Sequence, residues 1–211
     1  MTPLPRVILI GGAPGTGKST VSRALGRKLA YDVISTDDLG RAARSVASPE
    51  LVPDLFAFVA ADHRQYYQDH LVPELLEHAL RAHIALWPAI RQIIEVHAAC
   101  ASPAVLEGWA LLPEQVATLN VPNVSSVWIR APADPITSSL TSDSEFYRGA
   151  RDEQLMIDRF VGRTVAFTDW LREETARMSQ PFVQLQDERS SVGEVARALG
   201  ISEHGSSTSS R

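Results

Sequence analysis

A lysine followed by serine at the start of a helix, preceded by closely spaced glycines, is an arrangement suited to holding phosphate. Gly12-Ala13-Pro14-Gly15-Thr16-Gly17-Lys18-Ser19 fits the pattern GxxxxGK followed by Ser or Thr in full, and Thr20 continues it. The glycines permit backbone angles closed to other residues, so successive N–H groups can turn into one concavity. A helix beginning near Gly17 adds the positive end of its dipole. Lys18 is placed to reach the β- and γ-phosphates of a nucleotide, and the Ser19 hydroxyl to ligate Mg²⁺. An ordinary glycine-rich turn would explain the glycines but not Lys-Ser at the helix start. The expected ligands are ATP and Mg²⁺, although the pattern itself does not choose between ATP and GTP. No Asn-Lys-x-Asp run, which would read guanine, occurs.

Phosphoryl transfer also asks for positive charge on the migrating group and a carboxylate on the acceptor hydroxyl. Asp37 follows the short apolar run Val33-Ile34-Ser35 and should project from the carboxyl edge of a sheet, where ligands bind in such folds. Its expected roles are general base and Mg²⁺-side ligand; the alternative is a helix N-cap. Glu107, at the end of Pro103-Ala104-Val105-Leu106-Glu107-Gly108, is expected to orient the acceptor, hold a metal-bound water, or form a structural ion pair. Trp109 beyond it is either pocket wall or core. Arg41 and Arg44, three apart on one helix face, are candidate acceptor ligands. Arg148 and Arg151 fall in a polar segment, Ser138 to Glu153, expected to act as a lid that brings Arg onto the phosphates. Arg159 and Arg163 follow at i, i+4 as a second basic face. His63, His70, His78 and His83 lack a tight ligand cluster and are read as solvated or capping positions.

The elements that must position these groups alternate. Val7-Ile8-Leu9-Ile10 is a continuous apolar run ended by glycines, which reads as a buried parallel strand. Ser19 to Ala30 carries apolar residues at helical spacing, Val33 to Ser35 is a second strand, and Asp37 begins another helix. Residues 50 to 101 contain no convincing strand. They read as a helical segment, with Trp87-Pro88 breaking one helix and Pro88 opening the next. Residues 103–108, Val124 to Ile129, and Phe182 to Leu185 supply three further strands. A long amphipathic helix spans about Gln154 to Met178, and a last one opens with the capping box Ser191-Val192-Gly193-Glu194. Strands alternating with helices imply a doubly wound parallel sheet.

The phosphate pattern, Val33-Ile34-Ser35-Thr36-Asp37 and Val105-Leu106-Glu107-Gly108 together resemble 2-phosphoglycerate kinase and its small P-loop relatives. Chloramphenicol phosphotransferase and the zeta-toxin kinases share the same plan, with an Asp at the end of the second strand close to the acceptor hydroxyl. The resemblance implies a P-loop NTPase fold of the nucleoside-monophosphate-kinase-like type, a three-layer α/β sandwich with a five-stranded parallel sheet. It follows the order of elements over most of residues 6 to 200 and is motif-deep at 12–20, 33–38 and 104–108. One departure is that Gly40 stands where the phosphoglycerate kinases carry Arg, with Arg41 next. The implied activity is transfer of the ATP γ-phosphate to a hydroxyl of a small metabolite or natural product. An antibiotic-modifying or toxin-like kinase uses the same machinery. A nucleotide-dependent sensor is the rival from a different class.

Length and composition bound these readings. A chain of 211 residues suits one domain, expected over 1–203, with an acceptor-side helical part at about 48–102, the lid at about 138–153, and a disordered tail at 204–211. A net charge of −5 gives no hint of a nucleic-acid partner, which would show a basic stripe. No stretch reaches the roughly 18 apolar residues of a membrane span. Cys100 is the only cysteine, so no intrachain disulfide is possible. It is expected to be a buried thiol at a helix end. These features, with no signal peptide legible at the N-terminus, fit a cytoplasmic protein; the oligomeric state is not legible.

Overall fold

The structure, a computed structural model, describes residues 4–59, 62–131, 144–186 and 191–201. Five strands form one all-parallel sheet: β1 (Val7–Gly11), β2 (Asp32–Ser35), β3 (Ala104–Gly108), β4 (Val124–Arg130) and β5 (Phe182–Gln184), in the order β2-β3-β1-β4-β5. The apolar run of β1 is central and fully buried because both faces are covered. Val7 and Leu9 point into one core and Ile8 and Ile10 into the other, as the two-residue period of a strand requires. Strand β2 lies at an edge, which explains why Val33 remains 39% exposed.

Helices α1 (Lys18–Leu29) and α8 (Ser191–Ala198) cover one face, with Val21, Leu25, Val195 and Ala196 packed on β1, β3 and β4 residues. The other face carries α4 (Val72–Ala99) and α7 (Glu153–Arg177), whose Ile90, Ile94, Phe167 and Leu171 pack on Leu9, Leu106 and Trp128. The short helices α2 (Thr36–Val46), α3 (His63–Asp69), α5 (Pro113–Ala117) and α6 (Ser144–Tyr147), with a 3₁₀ turn at Pro53–Phe56, complete the described chain. The result is the expected three-layer sandwich. A smaller aromatic cluster of Tyr66, Tyr67, Tyr147 and their neighbours joins α3, α6 and α7.

Two sequence expectations fail. Pro88 does not end a helix; α4 runs through it for 28 residues. The proline deprives the Ile84 carbonyl of its partner, but Ile84 is 51% exposed, so that carbonyl lies on a side that water can reach. Cys100 is exposed, not buried. The inward stripe of α4 runs through Ile90, Ile94 and Ala98, and residue 100 falls off it. Of the expected lid, residues 138–143 lie outside the described residues. The remainder is less polar in its packing than its composition suggested, since Phe146 and Tyr147 pack against Tyr67 and Phe160.

Register places the chemistry at one edge. Ser35, Glu107 and Ile10 are aligned across β2, β3 and β1, so the turn after β1, the end of β3 and the start of α2 meet at the carboxyl edge of the sheet. Gly108 makes this approach possible. Its φ is +151°, and a Cβ there would lie 1.7 Å from the Thr36 hydroxyl at the first turn of α2.

Candidate active site

The turn between β1 and α1 is braced from inside. The Thr16 hydroxyl and the Lys18 ammonium both donate to the Ala13 carbonyl, each at 2.8 Å. Gly17 precedes α1 with φ 81°. No side chain caps this helix, and its first turn contains no acidic residue. Its first N–H groups are therefore left for a ligand, and an anion is what they and the helix dipole favour. Lys18 is 9% exposed. Burial lowers its pKa, opposed by the nearby carboxylates of Glu107 and then Asp37. An ammonium in that condition gains from a phosphate that replaces its lost hydration. Thr20 is exposed on the first turn of α1.

Ser19 donates from Oγ to Glu107 Oε1 at 3.0 Å. Glu107 is 6% exposed at the end of β3. A hydroxyl and a carboxylate beside the phosphate cradle form an all-oxygen donor set, which suits Mg²⁺ better than a softer metal. Among the described residues no three His, Cys, Asp or Glu side chains gather as a complete metal cage. That agrees with Mg²⁺ chemistry, in which phosphate and water commonly supply the other ligands. The site fits the ion.

Asp37, expected on both the metal and the acceptor side, is held by Trp109 rather than by Ser19. Trp109 Nε1 donates to its Oδ1 at 2.9 Å. Asp37 is not the N-cap of α2, a role taken by Ser35, whose Oγ accepts from the Asp37 N–H at 3.2 Å. Both Asp37 and Lys18 line a cavity of about 560 Å³ with Pro14, Arg41, Arg44 and Trp109. Six candidates separated by up to 95 residues are thus brought to one space. Arg41 is also paired with Asp38 at 2.7 Å, with both side chains more than 70% exposed.

Arg148 and Arg151 are not brought there. Arg148 pairs with Glu145 at 3.1 Å on the surface, and Arg151 is exposed. The cation that α7 brings to the cavity is Arg163, about three turns into the helix. It is 4% exposed, its Nη1 donates to the Tyr67 hydroxyl, and its Cζ lies 4.8 Å from the Trp109 ring centre and 4.7 Å from that of Phe160.

Opposite stands His83 of α4, read from sequence as solvated or capping but only 2% exposed. Its ring meets Trp109 edge-on at 4.2 Å, and neither ring nitrogen has a partner among the described residues. Burial, with Arg163 and Arg44 adding to it, pushes its pKa down to about 3, so the ring is neutral near pH 7. Phe58 completes this wall, 5.5 Å from Trp109 and beneath the Arg44 guanidinium at 5.5 Å.

Arg163, read from sequence with Arg159 as part of a basic face, and His83, read as solvated or capping, both carried a readable sign of burial. Met156, Phe160, Arg163, Phe167 and Leu171 form a stripe at intervals of three and four, and Ala79, His83, Trp87 and Ile90 form another. A charged or polar residue inside an apolar stripe points inward, and a buried charge needs a partner.

Sheet order and the glycine-rich turn together give a P-loop NTPase fold, a three-layer α/β sandwich on a five-stranded parallel sheet. A profile of the AAA domain matches residues 7–107, from β1 to Glu107. No curated protein sequence matches the chain. The chain resembles the small-molecule P-loop kinases in fold over nearly its whole length. A gluconokinase from Sinorhizobium meliloti 1021 superposes with a TM-score of 0.56 at 15% identity over 94% of each chain. A sugar kinase from Janibacter sp. HTCC2649 gives 0.57 at 14% identity over 95% of this chain and 96% of that one. A shikimate kinase from Acinetobacter baumannii, solved with shikimate, gives 0.52 at 12% identity over 96% of each.

Proposed function

We propose that the chain is a kinase that transfers the γ-phosphate of ATP to a hydroxyl of a small molecule. The observation that carries this reading is one cavity lined both by the P-loop lysine and by Asp37, Trp109, His83 and Arg163, groups that a nucleotide phosphate alone would not need. A protein that only sensed or hydrolysed nucleotide would have no use for that second set.

In this mechanism the N–H groups at the start of α1 and the Lys18 ammonium bind the triphosphate and place positive charge on the migrating group. Ser19 and Glu107 would hold Mg²⁺, which when bound neutralises developing charge on the phosphate oxygens. Asp37 receives the acceptor hydroxyl and takes its proton at the free oxygen, while Oδ1 stays fixed by Trp109 Nε1. Trp109 is a positioning residue for that carboxylate. Asp37 thus serves the acceptor, and Glu107 the metal side.

The test is to incubate the protein with Mg²⁺ and ATP labelled at the γ-phosphate, together with a panel of small hydroxylated metabolites. Label should move to a small molecule only in the presence of one class of acceptor. Release of labelled inorganic phosphate that no acceptor alters would overturn the kinase reading in favour of a nucleotide-driven sensor.

A further inference from the structure

We propose that the acceptor is a small hydroxylated oxyanion, a carboxylate or a phosphate monoester, whose negative group is held by Arg163. The inference deepens the kinase reading by naming the acceptor class, but the anion site itself stands on observations independent of catalysis. Arg163 is 4% exposed, and among the described residues no carboxylate pairs with it. Among the described residues its one hydrogen-bond acceptor is the neutral hydroxyl of Tyr67, and its Nε has none. Flat aromatic faces from Trp109 and Phe160 recover part of the lost hydration of a guanidinium but leave its charge uncompensated. Native interiors seldom keep such a group without a counterion.

Its surroundings make the case stronger. Among the described residues four cationic side chains line the cavity, Lys18, Arg41, Arg44 and Arg163, against the single carboxylate of Asp37. With nucleotide phosphates on Lys18, Arg44 and Arg163 remain for the acceptor. His83, with both ring nitrogens unpartnered in the same wall, offers a neutral hydrogen-bonding group beside the anion.

Trp109 sets the spacing. One part of the indole donates to Asp37 and its face carries the Arg163 guanidinium, so the reacting hydroxyl and the anion are separated by about the width of one ring system. That distance suits an acceptor in which hydroxyl and anion are a few bonds apart. A larger neutral acceptor would leave Arg163 desolvated and unpaired in the complex, the costliest condition for a buried charge.

The experiment measures thermal unfolding of the full chain saturated with ADP and Mg²⁺, at constant ionic strength, in acetate, inorganic phosphate or neutral acetamide. Acetate or phosphate should raise the melting temperature by roughly 3–6 °C at ten times its Kd, with acetamide inert. A larger effect of acetate assigns a carboxylate acceptor, and a larger effect of phosphate a phosphate monoester. Arg163→Met should abolish the anion effect, leave ADP affinity unchanged, and melt no lower than wild type without anion, since it removes an unpaired buried charge. Arg163→Lys keeps the charge but loses the planar fork, and should weaken the anion roughly tenfold; it carries the test if the Met variant does not fold. Wild-type protein unmoved by either anion, or anion effects equal in wild type and variants, would overturn the proposal. Failure of the kinase reading shows differently: no label reaches any acceptor, while Arg163-dependent anion binding persists.

Discussion

Replacing Asp37 with Asn separates chemistry from structure. The Asn side chain retains an oxygen to accept from Trp109 Nε1 at 2.9 Å, so the indole keeps its place. The helix cap is untouched, because Ser35 caps α2. What is lost is one exposed negative charge in the first turn of α2, where Asp38 remains. Such a charge contributes about 0.3–1 kcal/mol at a surface, and solvent screening puts this position at the low end. A melting temperature within a few degrees of wild type is expected. ATP affinity should stay the same or tighten slightly, since a carboxylate leaves a cavity that receives phosphate. Loss of a positioned proton acceptor lowers rates by roughly 10²–10⁴-fold, which corresponds to about 3–5 kcal/mol of barrier. Calorimetry with ATP·Mg²⁺, thermal denaturation, and ADP release coupled to the acceptor that the wild-type protein uses would measure the three quantities. A folded Asp37→Asn protein that turns over within threefold of wild type would refute Asp37 as the base.

Lys18→Ala should lower ATP·Mg²⁺ affinity about a hundredfold or more in calorimetry, with little change in melting temperature, because the ammonium's one protein acceptor is the Ala13 carbonyl. Glu107→Gln keeps an acceptor for Ser19 but loses the charge, so the Mg²⁺ concentration for half-maximal turnover should rise roughly 10–100-fold, while metal-free ADP binding holds; an unchanged Mg²⁺ dependence would exclude Glu107 from the metal side. Gly108→Ala places a methyl 1.7 Å from the Thr36 hydroxyl, and thermal unfolding should show a loss of about 2–4 kcal/mol from overpacking at the joint between β3 and α2. His83 titrates near 6.5 when unfolded and about 3 when folded, so the unfolded chain binds more protons between those values and stability falls as pH drops through that window. From pH 6.5 to 5 this one group accounts for about 2 kcal/mol, and His83→Leu should flatten the denaturation curve over that range by this amount.

The amino-acid sequence alone determined the phosphate cradle and the order of the layers. Every residue from Gly12 to Ser19 lies within one turn and the start of one helix, where backbone geometry follows from local residue types. The strands were legible for a similar reason: Val7 to Ile10 and Val105 to Leu106 are apolar on both faces, and only a covered sheet accepts that. Asp37 and Glu107 could be placed at strand ends, but which of them meets Ser19 depends on the register of β3 between β1 and β2. Continuation of α4 through Pro88 depended on which side of the helix the core occupied.

The cavity wall around Trp109 was decided by tertiary structure. His83 and Arg163 belong to helices far apart in sequence and meet around Trp109 through the packing of α4, α7 and the end of β3. Their places in apolar stripes showed that both point inward. Helical periodicity fixes direction within one element, whereas the partner across a core depends on how whole helices pack on the sheet. For the same reason Arg148 and Arg151, chosen for their position in the chain, remain on the surface before α7, while Arg163, which lines the cavity, sits about three turns into that helix.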